Sequence, residues 1–268
     1  MKKSAPIVVL ILLFVAAGWY FFTRQPDPVH ELEQAYTPPP IPAPSEQIEA
    51  EPEVAVALPE LESGGEPEAV AEPLPPLPES DDAFKPALGE IVGPDLIEQY
   101  LVKDQVISRL VATIDSLTSR QVPPPVNPAK PVADKLIVEQ QGDEITLSTQ
   151  NFARYDAYVG LLNSVDTPSL MSTYERYAPL FQQAWEENGQ QGSFDQRVIE
   201  VIDNLLETPD VPGPLYLVKP EAFYLYEDPE LEALTAGQKI LLRMGNANAA
   251  EVKAKLIEIK DMLASRSS

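Results

Sequence analysis

The stretch DTPSLMSTYERYAPLFQQAWEENG, residues 166–189, decides the fold of this chain. Its large apolar residues recur at steps of three and four, which places them on one face of an α-helix. They are Leu170, Tyr174, Tyr177, Phe181 and Trp185. Asp166-Thr167-Pro168 is a helix-start signal, and Pro179 inside the pattern predicts a kink or a restart. The stretch therefore predicts a long helix in a mainly α-helical domain.

Further helices are predicted on both sides of this stretch. Their apolar faces are Ile107, Leu110, Ile114 and Leu117; Phe152, Tyr155, Val159 and Leu162; Phe194, Val198, Val201, Ile202 and Leu205; and Val252, Leu256, Ile259 and Leu263. The start signals are Asp104, Ser193 with Gln196, Thr235 with Gln238, and Asn246. Glu251 and Lys255 lie one helical turn apart, so we expect them to form an outward-facing ion pair.

A minor β component accompanies the helices. Residues 136–139 and 145–147 flank the turn at Gln141-Gly142-Asp143, which predicts a β-hairpin. Residues 215–218 and 223–226 are two more short extended candidates, separated by Pro220. We therefore expect a compact helical domain with a minor hairpin over residues 91–268.

An apolar run near the N-terminus predicts a membrane anchor. Residues 7–22 read IVVLILLFVAAGWYFF, and residues 5–23 give about the 20 residues needed to cross the lipid bilayer as a helix. Lys2 and Lys3 precede the run and acidic sequence follows it, so residues 1–24 are expected to hold the N-terminus in the cytoplasm. The alternative is a signal peptide that is cleaved after the small residues 15–17.

Residues 25–90 are predicted to form a disordered acidic tether. They contain sixteen acidic residues against Lys85 alone, and fourteen prolines lie between Gln25 and Ser80. Proline removes backbone donors and like charges repel, so this composition cannot form a core. The net charge of −23 also disfavours nucleic acid as a partner, because phosphate binding requires Lys and Arg.

The inventory of reactive residues excludes most catalytic classes. The chain has no cysteine, and its single histidine, His30, lies in the predicted tether. Triads that depend on histidine and zinc sites that depend on thiolates are therefore not expected. We predict no catalytic residue, no metal site and no cofactor. Two carboxylates that converge across a cleft would still permit glycoside hydrolysis, and this alternative stays open.

Two groups of residues are binding candidates. Arg176 and Gln183 lie opposite the aromatic face around Pro179, where a cation near a helix break could engage a partner carboxylate. Gln238, Lys239 and Arg243 place two cations on one short helix. That second group is either a ligand patch or a set of cations that neutralises the acids at positions 227, 230 and 232.

Four stretches of the sequence resemble a known bacterial family. The strings are NFARYDAYVGLLNSVDTPSLMSTYERYAPLFQQAWEENG at 151–189, VIDNLLETP at 201–209, LVKPEAFYLYEDPELEALTAGQKILLRMG at 217–245 and VKAKLIEIKDML at 252–263. Together they resemble the family called domain of unknown function 3014 over roughly residues 88–265. The resemblance implies a membrane-tethered helical domain of bacterial envelopes and implies no activity.

These observations favour a single-pass protein of the bacterial inner membrane with its C-terminal domain in the periplasm. We expect a non-catalytic docking or scaffolding role, with an envelope protein or cell-wall material as the partner. The alternative is a carboxylate-based envelope hydrolase, which would need one carboxyl group with a raised pKa in a deep cleft.

Overall fold

The computed structural model describes residues 73–101, 104–120, 136–220 and 223–266. The predicted membrane anchor at residues 5–23 and most of the predicted tether lie outside these residues. Within the described residues, no helix combines the length and the apolar character that a membrane crossing requires.

The described residues form a mainly helical domain with one small antiparallel sheet. After a 3-10 turn at Leu77–Glu79, the helices are α1 (Asp81–Val92), α2 (Pro94–Tyr100), α3 (Val106–Ser116), α4 (Gln150–Asn163), α5 (Thr167–Glu187), α6 (Phe194–Leu206), α7 (Pro229–Ala233) and α8 (Ala236–Arg266). The strands are β1 (Val138–Gln141), β2 (Glu144–Leu147), β3 (Tyr216–Val218) and β4 (Leu225–Tyr226), in the order β1-β2-β3-β4. This arrangement confirms the helical class and the hairpin.

Helix α5 lies at the centre of the main core. Its five predicted apolar residues are all buried, and α1, α3, α6 and α8 pack against the helix. The ring of Phe181 lies 5.7 Å from Phe84, 5.2 Å from Tyr174 and 5.8 Å from Phe194 between centroids. The aromatic spacing therefore identified the element around which the domain is built.

Of the predicted kink or restart at Pro179, the restart is wrong, because α5 is one helix of 21 residues that runs through this proline. Proline removes one backbone hydrogen bond, and the buried residues before and after it hold the two halves together. The start of α5 is confirmed, since the Asp166 carboxylate accepts a hydrogen bond from the Ser169 N–H at 3.0 Å.

The predicted boundary between tether and domain at residue 90 is too late. Phe84 and Leu88 of α1 are completely buried in the main core. The Tyr177 hydroxyl also donates a hydrogen bond to the Ala83 carbonyl at 3.0 Å. The folded domain thus begins near Leu77. The sequence prediction missed α1 because acidic residues and Pro86 surround its two buried apolar residues and obscure the amphipathic pattern.

Helix α3 is capped from a distance. Asp104 was predicted to cap it, but the Asp81 carboxylate accepts the Gln105 and Val106 N–H groups at 2.7 and 2.9 Å. Gln105 adopts a left-handed backbone with φ of 56°. The first turn of α1 is therefore fixed to the first turn of α3.

The four-stranded sheet has one buried face and one exposed face. Leu217 pairs with Ile145 on one side and with Tyr226 on the other. Leu217 and Tyr226 pack with Leu242 of α8 in a second, smaller core. The sheet thus attaches to the helical domain through α8.

Helix α8 changes direction at Gly245, where φ is 77° and ψ is 156°. A Cβ atom at this position would lie 2.7 Å from the Phe152 ring. Glycine is therefore required both by the left-handed backbone and by the close approach of α4. The predicted helix end at Gly245 corresponds to this kink, after which Asn246 begins the final segment.

Candidate functional site

The five predicted binding residues lie in two different environments. Arg176 and Gln183 share an exposed face of α5. The Arg176 guanidinium lies 5.8 Å from the centroid of the Tyr177 ring, and the Gln183 amide donates a hydrogen bond to Glu187 Oε1 at 2.9 Å. The structure thus places both side chains on the face expected for them, and their role in binding stays a prediction.

Gln238, Lys239 and Arg243 do not form a surface patch. Their side chains are buried, with 5%, 3% and 8% of their surface exposed. Lys239 Nζ donates to the Glu232 carboxylate at 2.9 Å and to the Glu232 carbonyl oxygen at 3.1 Å. Neutralisation of an upstream acid is therefore confirmed for Lys239, and the ligand patch is wrong because these groups bind inside the domain.

Gln238 and Arg243 also make their contacts inside the domain. Gln238 and Thr235 cap the start of α8 reciprocally, and the Gln238 amide donates to the Asn204 carbonyl at 2.8 Å. The Arg243 guanidinium lies 6.0 Å from the centroid of the Tyr226 ring. Burial raises the pKa of Tyr226 to about 12, although the positive charge of Arg243 opposes part of this shift. These contacts join α8 to α6 and to the sheet.

Cations elsewhere in the described domain are also held by internal partners. The pairs are Arg197 with Asp115, Lys253 with Asp210, Lys260 with Asp203, Arg266 with Glu175 and Asp195, and Lys255 with Glu258. Lys255 is itself buried, so the predicted outward pair with Glu251 is wrong. Its ammonium group donates to the Val165 carbonyl and the Thr167 hydroxyl at 3.3 and 3.1 Å.

Many carboxylates face solvent without such a partner. Glu144, Glu207, Glu227 and Asp261 are exposed, and no ion pair joins them to a cation among the described residues. Acidic residues outnumber basic ones by 42 to 19 over the whole chain and each ion pair uses one of each, so the unpaired charges are mainly negative. A surface of this sign attracts cationic partners and repels anionic ones.

The exposed face of the sheet is the clearest candidate for contact with another molecule. We call Tyr216, Val218 and Leu225 the outer sheet face, since 42%, 38% and 37% of their surfaces are accessible. Val218 lies directly opposite Leu225 on the neighbouring strand, and Tyr216 is two residues along β3 on the same side. The three side chains therefore form one continuous apolar surface.

Carboxylates surround this apolar surface. The Glu227 N–H donates to the Tyr216 carbonyl at 3.0 Å, which places Glu227 beside Tyr216 in the register. Ile145 pairs with Leu217, so Glu144 lies at the register position beside Val218. Thr146 pairs with both Tyr216 and Glu139, and Glu139 therefore shares the exposed side of the sheet. The outer sheet face is an apolar centre with an acidic rim.

Two concave regions lie elsewhere on the domain. A groove of about 530 Å³ between α1 and α2 is lined mainly by apolar surface, with Glu90 and Glu98 among its residues. A cleft of about 430 Å³ beside the α8 kink contains Asp156 and the Asn248 side chain. The Asn248 amide already donates to Asp156 Oδ1 and to the Phe152 carbonyl, both at 3.0 Å.

Neither region provides the carboxyl pair that a glycoside hydrolase uses. Glu90 and Glu98 are both exposed to solvent, whereas the general acid of a glycoside hydrolase lies in a shielded apolar environment. Hydrogen bonds from Lys255 and Thr167 lower the pKa of Glu258, and hydrogen bonds from Ser169 lower the pKa of Asp166. Both shifts favour the ionised form of the carboxyl group. Over the described ranges, no group of three acids, histidines or cysteines could hold a metal ion.

The outer sheet face was missed in the sequence, although a signal for it exists. Residues 215–218 alternate Leu, Tyr, Leu, Val, and the two leucines are buried while Tyr216 and Val218 are exposed. Period-two alternation marks a strand with one face on a core. Both sides of this strand are apolar in the sequence, so the sequence alone does not indicate which side would be exposed on the folded surface.

The comparisons with known proteins identify a family. A family model described as "Protein of unknown function (DUF3014)" matches residues 106–260. No curated protein and no solved structure matches the chain. The matched region comprises 155 of the 268 residues and contains the aromatic core of α5, the sheet and most of α8. The chain therefore belongs to the DUF3014 family.

Proposed function

We propose that this protein is a non-catalytic docking protein of the bacterial envelope. Residues 5–23 anchor it in the inner membrane with the N-terminus in the cytoplasm. The acidic proline-rich segment from residue 25 to about residue 73 carries the folded domain in the periplasm. The domain then binds an envelope protein or cell-wall partner.

The outer sheet face is the observation that carries this proposal. Scattered exposed apolar residues are ordinary on a protein surface, but Tyr216, Val218 and Leu225 are adjacent on neighbouring strands. Exposed apolar surface of this kind is favourably removed from water when a partner covers it. Docking requires such a surface and requires no reactive side chain.

The length of the N-terminal segment supports a tethering role. A chain of about 50 residues reaches about 40 Å as a flexible coil and about 150 Å as polyproline II. Either length allows the domain to search a volume beyond the membrane surface. A tethered binding domain gains effective concentration for partners within its reach.

Crosslinking in living cells tests the docking function. A photo-crosslinking amino acid would replace Tyr216 in one strain and Ile257 in a control strain, since Ile257 is exposed to 48% on a different element. We expect discrete adducts from position 216 and none from position 257. Adducts absent at both positions, with the protein present in normal amount, would contradict docking through this face.

The membrane orientation has its own test. A reporter enzyme that works only outside the cytoplasm should be active when it is fused after Ser268, and a reporter that works only in the cytoplasm should be inactive there. The mass of the protein recovered from membranes should still include the N-terminal residues. Reporter activity in the cytoplasm would exclude the proposed localisation, and a product that begins after residue 17 would establish cleavage instead of anchoring.

A further inference from the structure

The acidic rim of the outer sheet face constrains what can bind there. Glu144 lies beside Val218 and Glu227 lies beside Tyr216, and both carboxylates are exposed. Any partner that covers the apolar centre brings its own groups close to these charges. An uncharged partner would partly desolvate them without compensation, and an anionic partner would add repulsion.

The rest of the described surface strengthens this constraint. Lys239 and Lys255 are buried, and Arg197, Lys260 and Arg266 are held by carboxylates of the domain. Lys219, which follows Val218, lies 5.2 Å from the centroid of the Tyr224 ring. Within the described residues, no ion pair joins a cation to Glu144 or Glu227, so the negative charge of the rim is not neutralised by an ion pair of the domain.

We propose that the outer sheet face binds a cationic segment of a partner protein, in which Lys or Arg residues flank an apolar side chain. This inference rests on the docking function proposed above and specifies its partner. The apolar side chain covers Tyr216, Val218 and Leu225, while the flanking cations approach Glu144 and Glu227. The two features together select a segment that is amphipathic and not simply basic.

Other occupants fit this surface less well. A second copy of the domain would bring the acidic rims of two identical surfaces together across a two-fold axis. A cell-wall polymer or lipid surface that carries negative charge would meet the same repulsion. A purely apolar partner would leave both rim carboxylates without a compensating charge.

Peptide binding to the full chain tests the partner chemistry. The protein is placed in nanodiscs of phosphatidylcholine, a lipid without net charge, so that the membrane does not attract a basic peptide. A fluorescent probe peptide has leucine and phenylalanine at its centre and lysines on both sides. One comparison peptide has serines at the centre, and another has glutamates in place of the lysines.

Variants of the full chain separate this surface from the acidic tether, which also attracts basic peptides. Tyr216→Thr keeps a residue that favours strands and removes the ring. We expect it to weaken binding of the probe about tenfold, the size of effect that loss of a central aromatic contact produces. Ile257→Thr, which alters an equally exposed apolar residue, should leave the affinity within about twofold.

Charge reversal tests the rim in the same way. The double variant Glu144→Lys with Glu227→Lys should weaken binding about tenfold and reduce its dependence on salt. The matched control is Glu207→Lys with Asp261→Lys, which gives the same net charge at exposed positions outside the sheet, at the end of α6 and on α8. We expect a much smaller effect from the control, and thermal unfolding should be cooperative for all four variants.

The outcomes distinguish this inference from the function on which it rests. Equal losses from both charge-reversal pairs, or no loss from Tyr216→Thr, would overturn the cationic partner. If crosslinks from position 216 persist in cells while the probe result is negative, docking stands and the partner chemistry is wrong. Dimers that dissociate on Tyr216→Thr would assign the surface to a second copy of the chain.

Discussion

Phe181 is the residue on which the main core depends most clearly. Its ring is 2% exposed and contacts aromatic rings from α1, α5 and α6. Phe181→Ala should therefore lower the free energy of unfolding by about 3 to 5 kcal/mol, measured by denaturant titration. Ile257→Ala on the exposed side of α8 is the control, and we expect it to cost less than about 1 kcal/mol. Similar losses for the two variants would place the Phe181 ring outside the core.

Tyr226 should make the domain sensitive to alkaline conditions. Burial raises the folded-state pKa of Tyr226 to about 12, while an unfolded tyrosine has a pKa near 10. Its neutral hydroxyl therefore contributes its full stability below about pH 10, and this contribution is lost as the pH rises toward 12. The loss is on the order of 2 kcal/mol.

The variant Tyr226→Phe tests this pH dependence. It cannot ionise, so its unfolding free energy should fall less steeply between about pH 10 and 12 than that of the parent. Tyr216→Phe is the control, because that ring lies on the exposed side of the sheet. An unchanged slope for Tyr226→Phe would show that ionisation of this group does not limit alkaline stability.

At the scale of elements, the kink of α8 depends on glycine. Gly245→Ala adds a Cβ that would lie 2.7 Å from the Phe152 ring, in addition to the strain of a positive φ. Gly142→Ala, at a φ of 64° with open space around it, carries the backbone strain alone. We expect about 1 to 2 kcal/mol of destabilisation for Gly142→Ala and about 1 to 3 kcal/mol more for Gly245→Ala. Equal thermal shifts would mean that Phe152 moves aside without cost.

The periodic elements could be predicted from the sequence, and long-range contacts could not. The faces of α5 and α6 are confirmed, and so is that of α4 except for the partly buried Phe152, because local spacing alone determines which side chains share a face. Asp81 was missed as the cap of α3 because it lies more than 20 residues before the helix that it caps. Lys255 was interpreted as a surface cation because Val165 and Thr167, which accept hydrogen bonds from its ammonium group, become its neighbours only in the folded chain.

The candidate site was also predictable only where a single helix determines the positions, and not where it depends on contacts between distant parts of the sequence. Spacing correctly placed Arg176 and Gln183 on the exposed side of α5, since one helix determines both positions. The outer sheet face instead requires the pairing of β2, β3 and β4, and β2 and β3 are separated by three helices in the sequence. An apolar surface assembled across strands is invisible until the register is known.

At the scale of the whole molecule, the corrected boundary can be tested with fragments. A fragment of residues 74–268 should unfold cooperatively, because it retains Phe84, Leu88 and the Asp81 cap. A fragment of residues 91–268 loses all three and should show at most a weak, broad transition by circular dichroism. Hydrogen exchange should show protected amides in α5 and α6 of the longer fragment. Equal stability of both fragments would show that α1 does not contribute to the folded domain.

The contacts of α8 also have a consequence for the order in which the chain becomes stable. Helix α8 packs against α4, α5 and α6, and the Arg266 guanidinium near its end lies 5.5 Å from the centroid of the Tyr174 ring of α5. A nascent chain in which α8 has not yet been made therefore leaves apolar faces of these three helices uncovered. The domain can complete its folding only after α8 has left the ribosome, and a protein truncated within α8 would be a target for chaperones and proteases although most of its helices are present.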